Sequence, residues 1–263
     1  FYLLALIPSI LFWGSGLLKE SIIFFALGLF FLNLFRLSQQ FKLVYLGYLL
    51  LSVLLIIYTK FYLLVALSIP VLGYLINVYL KSKKLILGYF ISSALFIATV
   101  SLAPLLFKQL DFIQQIVTKQ QDFSRFIRVE GATSGFIIPE LTDGLSLIKN
   151  IPNALINTLV RPFLWECNAL FVGLSAFENI AVIAFIIIAI IFRKKMNLLQ
   201  KNTFYFSLFF AVGLFILIGL TTPVFGAIMR YKIPGLILLL IALLLVLDVQ
   251  KIKHKHPFLK KIL

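Results

Sequence analysis

The side chains with chemistry to offer lie in a few short segments of a very apolar chain. Residues 221–235 carry Arg230, Tyr231 and Lys232 among two prolines and two glycines. Broken backbone at membrane depth is tolerated only where it is buried in protein or lines a cavity, because an unpaired amide in lipid is costly. A cavity edged by Arg230 and Lys232 suits an anion: arginine offers a phosphate a planar fork, and lysine adds a compact point charge. The same residues also fit an ordinary turn with snorkelling cations and an interfacial tyrosine.

Residues 161–166 read Arg-Pro-Phe-Leu-Trp-Glu and lead into a hydrophobic span, with Trp165 at the expected headgroup level. Arg161 either pairs with Glu166 or joins the Arg230 cavity. Glu178 lies about 15 Å into that span at a rise of about 1.5 Å per residue. A carboxylate so deep is a functional candidate; the bland alternative is a protonated acid hydrogen-bonded between helices, with Asn179 beside it. Lys19 and Glu20 stand at the outer end of the first hairpin, where Gly14 and Gly16 allow backbones to approach closely. Asn33, Asn77, Tyr48 and Tyr74 read as interhelical hydrogen-bonding groups. His254 and His256 form a His-x-His pair without a third ligand nearby, so no metal site is expected. Cys167 is the single cysteine, which excludes an internal disulfide. Phosphate-cradling and dinucleotide glycine motifs are missing, as is His-Glu-x-x-His, so the sequence gives soluble nucleotide chemistry no support.

The elements that must hold these residues are membrane helices. The chain is 62% hydrophobic with a mean hydropathy of +1.09, more than a soluble domain of this length can hide. About eight candidate spans follow, at residues 1–13, 21–35, 43–59, 61–80, 85–106, 169–192, 203–220 and 234–247. The first is short and begins without methionine, so the chain is read as a fragment. The apolar runs are continuous rather than alternating, which excludes a transmembrane barrel. The expected fold is all-α: a polytopic transmembrane helix bundle with one long extracytoplasmic loop.

Basic residues alternate along these spans. Arg36 and Lys42, then Lys81, Lys83 and Lys84, then Arg193, Lys194, Lys195 and Lys201, then the tail from Lys251, all fall on one side. The positive-inside rule makes that side cytoplasmic, C-terminus included, and sends the Lys19-Glu20 turn, the lone Lys60, the long loop and the Arg230 turn outward. The net charge of +15 is thus an orientation signal attracting anionic headgroups, not a nucleic-acid footprint. The chain divides into N-terminal helices 1–106, the loop 107–168, C-terminal helices 169–249 and a basic tail 250–263 that need not be ordered.

Within the loop, 108–128 puts Leu110, Ile113, Ile116, Val117, Phe123 and Ile127 near one helical face, as an interfacial helix would. Residues 131–135 break it, 136–139 is a short extended candidate, and Asp143-Gly144 signals a turn. A second amphipathic stretch, 154–160, begins after Pro152.

Residues 8–21 (Pro-Ser-Ile-Leu-Phe-Trp-Gly-Ser-Gly-Leu-Leu-Lys-Glu-Ser), 161–166 with Glu178-Asn179, and 226–234 around Arg230-Tyr231-Lys232 resemble bacterial multi-spanning proteins of surface-glycan assembly. These are the GT-C glycosyltransferases and the related O-antigen polymerases, and the resemblance is scattered over most of the chain. It implies a bacterial cytoplasmic-membrane enzyme that takes a sugar from a polyprenyl-phosphate carrier, using an acidic residue in the first outward loop. Glu20 would serve as that acid; Glu178, inside a later span, is the other candidate catalytic carboxylate. Arg230, Lys232, Arg161, Tyr231, Lys19 and Glu166 would bind phosphate or substrate. The expected partners are membrane lipids and a lipid-linked glycan, with no nucleic acid and no assignable cofactor. A repeat-unit polymerase is the nearest alternative. A transporter or lipid flippase, and a non-catalytic membrane subunit, are alternatives of other classes.

Overall fold

The computed structural model describes residues 7–16, 18–106, 111–130, 134–167 and 169–255. They form an all-α polytopic bundle, and their only β pairing is a pair of isolated bridges, Gly135 with Val224 and Arg193 with Leu247. The N-terminal helices are α1 (Pro8–Ser15), α2 (Lys19–Gln39), α3 (Leu43–Lys60), α4 (Tyr62–Tyr79) and α5 (Leu85–Leu106). The loop contributes α6 (Phe112–Glu130), α7 (Gly144–Lys149) and α8 (Ile151–Leu159). After a short 3-10 turn, Leu164–Glu166, come α9 (Leu170–Ile191), α10 (Leu198–Thr221), α11 (Phe225–Tyr231), α12 (Ile233–Val246) and α13 (Val249–Lys255).

Among the described residues six helices are long and apolar enough to cross a membrane: α2, α3, α4, α5, α9 and α10. α11 and α12 pass the same test only together, bent by 52°, which brings the total to seven. The sequence reading counted about eight. The difference is the first span, of which α1 is the described helical part: eight residues, about 12 Å. Its residues 1–6 lie outside the described residues. The last expected span is likewise incomplete alone, since the 14 residues of α12 reach only about 21 Å against a hydrocarbon core of about 30 Å.

α10 is the axis of the bundle. Half of its most apolar window is buried, against 11% for α3, which faces outward along most of its length. Phe206, Phe210, Leu214 and Phe215 of α10 are wholly enclosed, as the apolar face of a helix in the interior must be. Without a hydrophobic drive between helices in lipid, close approach and polar contacts hold such a bundle. At Gly219 a Cβ would lie 2.0 Å from the Ala154 carbonyl oxygen, which shows how tightly α8 rests on α10. Thr158 on α8 donates to the Phe215 carbonyl at 2.9 Å. At the end where the basic clusters gather, Asn77 Nδ2 donates to the Leu85 carbonyl at 2.8 Å and to Asn202 Oδ1 at 3.1 Å. Tyr89 donates to Asn202 Oδ1 at 2.9 Å, so α4, α5 and α10 share one polar contact. Asn77 is thus an interhelical hydrogen-bonding residue as expected.

The loop is built onto the bundle rather than hung from it. Gln120 of α6 donates to the carbonyls of Pro139 and Leu220, each at 3.0 Å, and accepts from Leu141 N at 2.9 Å. Asp143 caps α7, its Oδ1 accepting from Ser146 N at 2.7 Å. The expected helix 108–128 is observed as α6, shifted toward the C-terminus; residues 107–110, with Lys108 and Leu110, lie outside the described residues, as do 131–133 of the glycine break. The second helix starts at Ile151, not at 154, because Pro152 sits in its first turn, where a missing N–H costs nothing. The basic tail is also more ordered than expected: Asp248 Oδ1 accepts from Lys251 N at 3.1 Å and starts α13. His256, Lys260 and Lys261 lie outside the described residues.

Candidate functional site

Glu20 is in the first turn of α2, where an acid complements the helix dipole, and Lys60 and Arg230 end α3 and α11, where cations do. The bundle brings these three helix ends together. Glu20 is 1% exposed; its Oε1 accepts from Lys60 Nζ at 2.8 Å and from Arg230 Nε at 2.6 Å, and its Oε2 from Arg230 Nη2 at 2.8 Å. Two cations therefore face one carboxylate.

Aromatic rings wall the cluster. The Trp13 ring lies 5.2 Å from the Arg230 guanidinium, and the Tyr231 ring lies 4.4 Å from Lys60 Nζ. Tyr62, first residue of α4, packs on Tyr231 at 5.9 Å between ring centroids. Its hydroxyl oxygen is buried and has no hydrogen-bond partner among the described residues. Ser21 braces the turn between α1 and α2, donating to the carbonyls of Gly14 at 3.0 Å and Gly16 at 2.8 Å. A Cβ at Gly14 would meet the Phe24 side chain and one at Gly16 the Leu18 side chain, so it is side chains rather than a second backbone that approach the two glycines.

Lys232 does not share the cluster with Arg230, contrary to the expected cavity edged by both. Residues two apart on a helix point about 200° away from each other, and α11 continues to Tyr231 before the bend. The expected irregular turn is in fact a broken helix, so Arg230 faces Glu20 while Lys232 turns inward. Lys232 is 3% exposed and donates to Asn179 Oδ1. Asn179 Nδ2 in turn donates to the Arg161 carbonyl at 2.7 Å. Glu178 is buried beside them and interacts electrostatically with Lys232. Its own hydrogen bonds go to α1: Ser9 N donates to Oε2 at 3.0 Å and Ser9 Oγ to Oε1 at 2.6 Å. Glu178 thereby caps α1, whose N-terminus has no side-chain cap of its own.

Arg161 pairs with Glu166, the first of its two expected arrangements, and does not join the Arg230 cluster. Its Nε donates to both carboxylate oxygens, at 3.0 and 3.1 Å, and its Nη2 also donates to Oε1. The guanidinium lies 4.1 Å from the Phe136 ring, which stacks on Phe225 at 4.7 Å. That stack is held by the extended 134–136 segment, where Phe136 N donates to the Pro223 carbonyl and Phe225 N to the Ser134 carbonyl, both at 3.0 Å. Burial pushes the Glu166 carboxyl up, but the Arg161 hydrogen bonds and the Phe163 N–H outweigh it and hold Glu166 below the usual carboxylate range. Trp165 is 82% exposed, as a residue reaching for headgroups would be.

Of the expected site residues, Glu20, Arg230 and Tyr231 come together; Glu178 and Lys232 form a separate buried group; Arg161 and Glu166 form a third. Lys19 is exposed next to Glu20 and is not one of its ion-pair partners. Lys60, Trp13, Tyr62, Ser9 and Gln120 were not singled out as site or anchoring residues from sequence. For Lys60 the signal was there: it is the only charged residue of a tight connection on the side that also carries Glu20 and Arg230. Among the described residues no group of three His, Cys, Asp or Glu side chains is arranged to hold a metal ion. The arrangement can bind an anion through paired cations and can accept a proton at a carboxylate once that carboxylate is released. No protein-family model, curated protein or solved structure matches the chain.

Proposed function

We propose that this chain transfers a sugar from a polyprenyl-phosphate-linked donor during surface-glycan assembly, in a bacterial cytoplasmic membrane with its basic clusters and C-terminus inside. The observation that carries this reading is the Glu20 carboxylate held between Arg230 and Lys60, where the ends of the membrane-length α2 and α3 meet the end of the short α11. In the reaction the acceptor hydroxyl gives its proton to Glu20, and its oxygen bonds to the anomeric carbon of the donor sugar. The bond from that carbon to the phosphate oxygen breaks, and the electron pair leaves with the phosphate. Arg230 and Lys60 stabilise the charge that develops there. The polymerase alternative joins repeat units and uses arginines on the same face without needing the acidic residue.

A second reading has its own support. The bend of 52° around Lys232, with Glu178 and Asn179 buried beside it, is the kind of broken helix that lines a substrate path in transporters. The test is the surface-glycan banding pattern of cells lacking the gene and of the same cells given back wild type or Glu20→Gln. A shortened or missing ladder restored by wild type alone supports transfer with Glu20 as base, and a single-repeat band points to the polymerase. An unchanged ladder in the deletion strain removes the glycan reading and leaves transport.

A further inference from the structure

Glu20 is not free to act as a base in the arrangement observed. Three of the four lone pairs of the carboxylate are taken by charged donors, Oε1 accepting from Lys60 Nζ and Arg230 Nε and Oε2 from Arg230 Nη2, and hydrogen bonds from cations make a carboxylate a poor proton acceptor. The planar, forked carboxylate meets the guanidinium in the two-pronged way a phosphate does. It also underfills its surroundings, with one negative charge against the two cations. Close by, the Tyr62 hydroxyl is buried without a partner among the described residues, an expense that an incoming oxygen acceptor removes. The Arg230 side chain is 31% exposed, so the cluster is reachable from outside. Exposed Phe12 and Phe61 flank it in sequence beside Trp13 and Tyr62, an apolar approach for a lipid tail.

We infer that Glu20 is a resident competitor in an anion seat built by Arg230, Lys60 and Tyr62, and that a phosphate carried on a lipid displaces it. The phosphate takes over the Arg230 fork and accepts the Tyr62 proton in a hydrogen bond, while Glu20 is released from both cations. This rests on Glu20 being the base of the proposed transfer and adds its control: the donor's own phosphate frees the base, so the carboxylate becomes a proton acceptor only when a donor is seated.

The inference is tested by binding alone, without acceptor or turnover. Trp13 is one of the two tryptophans of this sequence, and its ring contacts Arg230, so in a Trp165→Phe variant of these 263 residues its emission reports on the seat. The probes are a polyprenyl monophosphate in nanodiscs, the matching uncharged polyprenol, and inorganic phosphate. In that background Glu20→Gln is expected to bind the polyprenyl phosphate about tenfold tighter, because the competing charge-assisted contact is gone. Arg230→Ala is expected to abolish the response. Tyr62→Phe is the variant that leaves the unliganded fold intact, since the hydroxyl has no partner to lose among the described residues; it should melt at or above wild type yet bind about tenfold more weakly. A response to inorganic phosphate matching that to the lipid keeps the seat and makes its ligand a free anion. Binding that is weaker in Glu20→Gln, or unchanged in Tyr62→Phe, overturns the proposal even where glycan transfer by wild type stands. Conversely, tighter binding by Glu20→Gln in a protein whose deletion leaves the glycan unchanged upholds the seat and removes the transfer.

Discussion

Glu20 and Arg230 are 210 residues apart in sequence and meet in a two-pronged ion pair, Nε to Oε1 at 2.6 Å and Nη2 to Oε2 at 2.8 Å. The pair ties the first turn of α2 to the last turn of α11, so it closes the bundle between its two ends of sequence as well as forming the candidate site. Removing one member of a buried pair leaves the other charge uncompensated. Arg230→Ala is expected to lower stability by about 2 to 4 kcal/mol, eased toward the lower figure because Lys60 still holds Glu20. Arg230→Ala with Glu20→Gln should recover part of that loss, the sign of direct coupling. Thermal unfolding in detergent measures both, and a wild-type melt for Arg230→Ala would show that the ion pair carries no structural weight.

Two glycines of α10 make a controlled comparison of helix packing. A Cβ at Gly219 would lie 2.0 Å from the Ala154 carbonyl oxygen, whereas one at Gly213 would meet nothing within 4 Å. Gly219→Ala must push α8 away, disturbing the Thr158 bond to the Phe215 carbonyl, and is expected to cost about 2 to 3 kcal/mol. Gly213→Ala should be neutral or stabilising by up to about 1 kcal/mol through helix propensity. Equal melting temperatures for the two variants would mean that α8 does not rest on α10 as described.

The membrane-length helices were legible because each is a continuous apolar run whose length a bilayer dictates. The alternation of basic residues also assigned Lys60, Glu20 and Arg230 to one side, and the ion pairs bring these three residues together. What the alternation lacks is lateral information. It says which end a residue occupies, not which helices are neighbours there, so the pairing of Glu20 with Lys60 and Arg230 could not be read. Arg230 and Lys232 were grouped because they are adjacent in sequence; once 225–231 is a helix, its geometry separates them. Gln120 was passed over for a related reason. A glutamine on an amphipathic helix reads as surface, yet this one faces α10 and clasps three backbone groups.

Glu166 offers a pH test outside the spanning helices. Burial opposes its charge, but the Arg161 hydrogen bonds, the Phe163 N–H and the Arg161 charge hold its carboxyl below the ordinary glutamate range. A group whose folded pKa is depressed stabilises the fold above its unfolded value and loses that contribution as pH falls through the folded one. Wild type should therefore lose roughly 1 to 2 kcal/mol on acidification through and below the glutamate range, the magnitude of charge-assisted hydrogen bonds. Glu166→Gln should be less stable at neutral pH and show a flatter acid limb, measured by thermal unfolding across pH. Identical acid limbs would separate Glu166 from the acid sensitivity.

Lys232 and Asn179 set up the sharpest test of the broken helix. Lys232 is 3% exposed, and its hydrogen bond to Asn179 Oδ1 is matched by the Asn179 Nδ2 donation to the Arg161 carbonyl at 2.7 Å. Asn179 is thus the joint between the bend, α9 and the segment that carries the Arg161–Glu166 pair. Replacing one partner of a buried polar contact strands the other, while replacing both with apolar groups of similar shape is nearly neutral. Asn179→Leu is expected to cost about 3 kcal/mol, because it strands both the ammonium and the Arg161 carbonyl. Lys232→Met should cost less, since Glu178 keeps both hydrogen bonds from Ser9. In the double variant the costs should fall well short of additive, by at least about 1 kcal/mol. Strict additivity in the thermal unfolding of the four proteins would mean that Lys232 and Asn179 do not act on each other, and the polar joint at the bend would have to be abandoned.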